Sequence, residues 1–181
     1  LTCCYGAPGS LKSMLLMDLA ACVATGECWL APLPSSNGGS YAVPRGPVLW
    51  FDADNGERRL RERFPALLQG RGDGSEPLIR AISLPTPPLD MSAYGGLDPS
   101  LLAQQIEETG ALLCVLDNLG TISGGMDENS SDMVGVMANL RQVAEATGAA
   151  LMVIHHSRKG NAGGNGSRKG DSLRGHSSIE A

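Results

Sequence analysis

The sequence predicts an α/β fold in which a mainly parallel sheet carries helices on both faces. Three observations support that reading. Strand-like apolar runs alternate with helical segments, the order that builds a parallel sheet. The runs Val48-Leu49-Trp50-Phe51, Ala111 to Leu116 and Ala149 to Ile154 are apolar throughout, as strands buried on both faces are. A glycine-containing turn, Gly6 to Ser13, joins the first strand to the first helix.

Leu1 to Tyr5 reads as the first strand. The first helix is expected from about Lys12 to Thr25, stopped by Gly26. Leu30 to Pro47 is rich in Pro, Gly and Ser and reads as a loop or short hairpin, with Asn37-Gly38 as its turn signal. Val48 to Phe51 is the second strand and ends in Asp52-Ala53-Asp54-Asn55. The charged segment Glu57 to Arg63, followed by Phe64 to Leu68, predicts a helix broken or kinked near Pro65. Gly70 to Gly74 is a turn, Leu78 to Ser83 a weaker strand, and Leu84 to Tyr94 a proline-containing loop. Pro99 to Thr109 predicts a helix with Asp98 as N-cap and Gly110 as its stop. Ala111 to Leu116 is a strand ending at Asp117, and Asn118 to Asn129 is a polar loop. Ser131 and Asp132 are expected to cap a helix running to about Thr147, with Met133, Val136, Met137, Leu140 and Val143 at helical spacing. Ala149 to Ile154 is the last strand and ends at His155-His156. No internal repeat is visible.

With 181 residues the chain suffices for a single domain with a sizeable core. It opens inside a strand without Met and stops at Ser178-Ile179-Glu180-Ala181, so it reads as residues 1–181 of one domain truncated at both ends. No apolar run has the length of a membrane span, and no membrane partner is expected. Cys3, Cys4, Cys22 and Cys114 show no metal-ligand spacing and read as small buried hydrophobes in a reducing compartment, which places the protein in the cytoplasm. The net charge of −5 is uneven, with +4 between Ser157 and His176 and −9 elsewhere. A basic tail on an acidic body reads either as a polyanion contact or as a solvated flexible segment, at about residues 157–172.

The Gly6-Ala7-Pro8-Gly9-Ser10-Leu11-Lys12-Ser13 turn suits a phosphate. Backbone N–H groups of a tight turn and a helix N-terminus point at one spot. Gly6 and Gly9 let the backbone approach the anion. Lys12 would reach the β- and γ-phosphates of ATP, and the Ser13 hydroxyl would hold Mg²⁺. The usual pattern has glycine before the lysine; here Leu11 stands there, and its side chain could point away into the protein. A plain Gly/Pro turn before an ordinary helix is the alternative.

In open parallel sheets, ligands bind at the carboxyl ends of the strands. Four strands here end in the Gly6–Ser13 turn, Asp54, Asp117 and His156. Asp117 fits a carboxylate that organises Mg²⁺ through water, or one that caps its strand. Asp54 could orient or deprotonate an attacking water, with Asp52 as its competitor and loop capping as another role. His156 could sense the γ-phosphate, or be satisfied by backbone; His155 should face the other side and be structural.

Taken together, Gly6 to Ser13, Phe51-Asp52-Ala53-Asp54-Asn55-Gly56-Glu57, Leu116-Asp117-Asn118, Asp127-Glu128-Asn129, His155-His156-Ser157-Arg158-Lys159 and Leu173 to Glu180 resemble a RecA-like P-loop ATPase domain of the AAA type. The set is most similar to the hexameric RepA-type and DnaB-type replicative helicase branch. The resemblance implies an ATPase that couples ATP turnover to DNA, a hexamer, and flanking domains such as a primase. It implies that Lys12 and Ser13 are the phosphate and Mg²⁺ residues, and Asp117 the Walker B aspartate. Asp54 stands where the family has a catalytic glutamate, and His156 at the sensor position. Lys159 falls near a residue that reaches a neighbouring subunit's nucleotide. Ser157 to Gly175, with Arg158, Arg168, Lys169 and Arg174, corresponds to loops that touch single-stranded DNA, and the arginine finger falls beyond Ala181. The second functional reading is a nucleotide-binding regulatory or assembly module with little hydrolysis, which Leu11 and the short Asp54 favour.

Overall fold

A computed structural model of the chain describes residues 1–30, 40–72, 76–92, 99–126 and 131–156. The Asn37-Gly38 turn, the Asp98 cap, Asp127 to Asn129, the basic segment and Leu173 to Glu180 lie outside the described residues. The apolar runs become strands β1 (Thr2–Gly6), β2 (Val48–Asp52), β3 (Ile79–Ser83), β4 (Leu113–Asp117) and β5 (Ala150–His156). They form one sheet in the order β1-β5-β4-β2-β3, with every neighbouring pair parallel. The predicted α/β class is therefore observed. Strands β2 and β4 are buried at all five positions, which is why their sequences show no alternation.

Helices α1 (Lys12–Thr25) and α2 (Glu57–Leu68) cover one face. Helices α3 (Pro99–Thr109), α4 (Leu119–Ile122) and α5 (Met133–Thr147) cover the other. The first core joins Leu16, Ala20 and Val23 of α1 to Val48, Trp50, Val115 and Ile154, with Phe64 of α2 edge-on to Trp50 at 5.5 Å between ring centroids. The second joins Leu102, Ile106, Val136, Met137 and Leu140 to Leu49, Phe51, Leu116 and Val153.

Three expectations are corrected. Helix α2 runs unbroken through Pro65. Pro65 and Arg61 are both exposed, so water can meet the Arg61 carbonyl that loses its donor. The stretch after Asp117 is not all loop: Asn118 starts α4 by accepting from the Thr121 N–H. Asp132 occupies the N-cap position of α5, but its side chain makes no capping bond. Its own backbone is already helical (φ −68°, ψ −22°) rather than extended as a capping residue needs.

Candidate functional site

Side-chain alternation along the strands decides what meets at the carboxyl edge. Val48 and Trp50, Leu113 and Val115, and Ile154 all pack towards α1 and α2. Continuing the two-residue period puts Asp52, Asp117 and His156 on that same face, and His155 on the other. His155 is buried. The register places Asp52 beside Asp117 and Gly6 beside His156.

The Gly6–Ser13 turn arches over this edge. Gly9 takes a left-handed φ of 80°. A Cβ on Gly6 would come within 3.1 Å of the Ser10 hydroxyl, so glycine keeps the turn tight there. Leu11 is the N-cap of α1 with φ 63° and ψ 18°, a conformation that glycine adopts freely. That is the physical reason the usual pattern has glycine at this position. The Leu11 side chain does not turn into the protein; it is 70% exposed at the mouth of the cleft. The buried Lys12 extends back along the turn, and its Nζ donates to the carbonyls of Gly6 and Ala7, both at 2.9 Å, and to Ser10 Oγ at 3.4 Å.

A cleft of about 340 Å³ opens between the turn and the β2–α2 junction. Pro8 to Met14 form one wall, and Asp54, Asn55, Arg59, Arg63 and His156 the rest. Gly6 and Ala7 are not among the lining residues; their carbonyls accept from Lys12. Asp117 lies deeper, 1% exposed. Its Oδ2 accepts from Asn55 Nδ2 at 3.1 Å, and its Oδ1 is buried with no hydrogen-bond partner among the described residues. Burial pushes its pKa up, and the carboxylates of Asp52 and Asp54 add to the rise, whereas the Ser13 hydroxyl and His156 oppose it. The Nδ1 of His156 is likewise buried and without a partner.

The two candidates for handling water separate cleanly. Asp52 is spent on structure: its oxygens accept from the Asn55 and Gly56 N–H groups, from Asn55 Nδ2 and from Ser83 Oγ. Asp54 is exposed in the cleft wall, and among the described residues its one hydrogen bond is to Oδ2, from Asn118 Nδ2 at 3.1 Å. Arg59 and Arg63 went unnoticed in the sequence. Their four-residue spacing on the helix that follows Asp54 was the available signal, since it puts both on one face. Arg158, Lys159, Arg168, Lys169 and Arg174 lie outside the described residues.

Among the described residues, no group of three or more His, Cys, Asp or Glu side chains converges as a metal cage. Mg²⁺ does not need one, because it keeps several waters and binds through one or two carboxylates and substrate phosphates. The unpartnered Asp117 Oδ1, with the Ser13 hydroxyl facing that carboxylate, fits such an ion. A second concavity of about 420 Å³ lies between α2 and β3. Its walls are mainly apolar, and its two charged side chains, Glu57 and Arg61, are bonded to each other. Among the described residues no helix is long and apolar enough to cross a membrane.

A protein-family model described as an AAA domain matches residues 1–162. The chain belongs to the AAA domain family, and the domain is of the ATPase, nucleotide-binding type.

Proposed function

We propose, from that family membership and this cleft, that the chain binds and hydrolyses ATP with Mg²⁺, as the RecA-like domain of a replicative helicase of the RepA or DnaB type. The observation that carries the ATP reading is the pair of buried, unpartnered polar atoms, Asp117 Oδ1 and His156 Nδ1, beside a turn of phosphate-loop type. Buried polar atoms are almost always bonded; four such atoms among the described residues are not, and while the Trp29 and Trp50 indole nitrogens lie outside the cleft lining, Asp117 Oδ1 and His156 Nδ1 share the strand edge beside it, where a ligand would complete them.

The residues divide the work. The N–H groups of the turn and of the first turn of α1 cradle the phosphates, and the Lys12 ammonium moves from its loop carbonyls to phosphate oxygen. Ser13 and Asp117 hold the Mg²⁺, whose charge offsets that of the phosphates. Asp54 uses Oδ1, the oxygen that Asn118 leaves open, to orient the attacking water and take its proton. His156 bonds the γ-phosphate, while Arg59 and Arg63 add positive charge to the opposite wall.

The DNA-linked part of the proposal rests on the sequence: the +4 segment begins directly after His156, where loss of the γ-phosphate would be felt. Contacts there would be to phosphates, as that segment has no aromatic residue, and a hexamer would gather six such segments around one strand. One observation favours a module with little turnover: Asp54 is one methylene shorter than the family's glutamate.

Binding and turnover, measured separately, test the proposal. Fluorescent ATP should bind, and phosphate release should depend on Mg²⁺. Lys12→Ala should lower turnover by ~100-fold or more. Tight binding without release would leave only the regulatory reading. Single-stranded DNA should raise turnover in an assembly that includes residues 157–176, and no response would remove the helicase reading.

A further inference from the structure

Two asparagines that sequence reasoning gave no role occupy a reciprocal position. Asn55 follows β2 and donates its Nδ2 to Oδ2 of Asp117, at the end of β4, at 3.1 Å. Asn118 follows β4 and donates its Nδ2 to Oδ2 of Asp54, beyond the end of β2, also at 3.1 Å. The strand ladder stops just short of both, at Asp52 beside Asp117 and at the Ala53 N–H on the Asp117 carbonyl. Beyond it, these two amides tie the strand ends together.

Each amide is held from its oxygen end as well. Asn118 Oδ1 accepts from the Thr121 N–H at 3.2 Å and from Thr121 Oγ1 at 3.4 Å. Asn55 Oδ1 accepts from Arg59 Nη1 at 3.1 Å, and its Nδ2 also reaches Asp52 Oδ1 at 3.2 Å. Flipping either amide would set oxygen against carboxylate and nitrogen against a donor. The orientation is therefore fixed by the surrounding donors.

We infer that Asn55 and Asn118 form a crossed amide clamp that fixes Asp54 and Asp117 relative to each other, and that both act as positioning residues for the proposed hydrolysis. The clamp rests on that reading for its purpose and on the described contacts for its existence. Asp54 is exposed, and an exposed carboxylate samples several rotamers. The Asn118 bond selects one. A misplacement of about 1 Å at a reacting group lowers the rate by roughly a hundredfold, so such a bond is worth holding. An aspartate at either position would repel its partner, and a glutamine would be one methylene too long.

Asn118→Asp keeps the oxygen that caps α4 but loses the donor to Asp54. It should lower kcat by about 10–100-fold while leaving KM and nucleotide affinity within about twofold. In an Asp54→Ala background it should lower residual turnover no further. A parallel loss of affinity and kcat, or an additive loss in the double variant, would overturn the positioning role. The protein without nucleotide supplies a readout independent of activity, the side-chain amide resonances. Asp54→Ala should move those of Asn118 and spare those of Asn55, and Asp117→Asn should do the reverse; an uncrossed pattern would overturn the clamp. If the unaltered chain shows no turnover, the hydrolysis reading fails, and the resonances alone decide the clamp.

Discussion

Asp52 and Asp117 are neighbours with opposite circumstances. They end adjacent parallel strands, stand side by side in the register and are 0% and 1% exposed. Asp52 has both oxygens bonded by donors from the turn that follows it and from Ser83. Asp117 has one oxygen bonded by Asn55 and the other without a partner. A buried carboxylate surrounded by donors stabilises the fold; one left short is destabilised by burial and becomes useful only when a ligand arrives. One sheet edge thus holds a fully bonded and a half-bonded copy of the same side chain, and under the proposed function the half-bonded one is the ligand-binding copy.

The sharpest break of this contrast is Asp52→Ala. It strands the Asn55 and Gly56 N–H groups and should lower stability by about 3 kcal/mol, read from urea unfolding. An unchanged midpoint would erase the distinction. Asp117→Asn should act the other way on the nucleotide-free protein. Because burial raises the Asp117 pKa, stability from this group is present at low pH and lost as pH rises through the folded value. The asparagine escapes that loss, so it should melt higher at neutral pH, with the gain vanishing towards acid, while the thermal shift given by Mg²⁺ and ATP disappears. The smallest effect is expected from Leu11→Gly. Relief of the left-handed conformation, less the freedom glycine gains on unfolding, should stabilise by about 0.5 kcal/mol. Destabilisation would mean that the exposed leucine makes contacts that matter more than its backbone geometry.

Much of the fold could be read from the sequence because it is written locally. Val48 to Phe51 and the run ending at Asp117 are buried on both faces, so their lack of alternation marks them as parallel strands. Gly26, Gly110 and Gly148 stop their helices with positive φ, as expected. What escaped is written across distance or in conformation. Asn118 pairs with Asp54 across 64 positions and Asn55 with Asp117 across 62, and no spacing rule foresees either. Leu11 could be accommodated pointing into the protein; with its left-handed backbone it stands exposed at the cleft mouth instead. The contrast between Asp52 and Asp54 lies in the donors around each, which residue identity alone does not reveal. Helix α4 is only one turn long, too short for periodicity to reveal.

The strand order also bears on how the protein is born. Among the described residues β1, which launches the phosphate-loop turn, has β5 as its sheet neighbour, and Thr2 pairs with Met152. Of these two strands the earlier in the sequence therefore waits for the later, and closing so long a loop is slow compared with forming local structure. Until β5 has emerged, the turn has no fixed strand beneath it. A nascent chain would therefore set the turn in place in one step, when β5 slots in between β1 and β4.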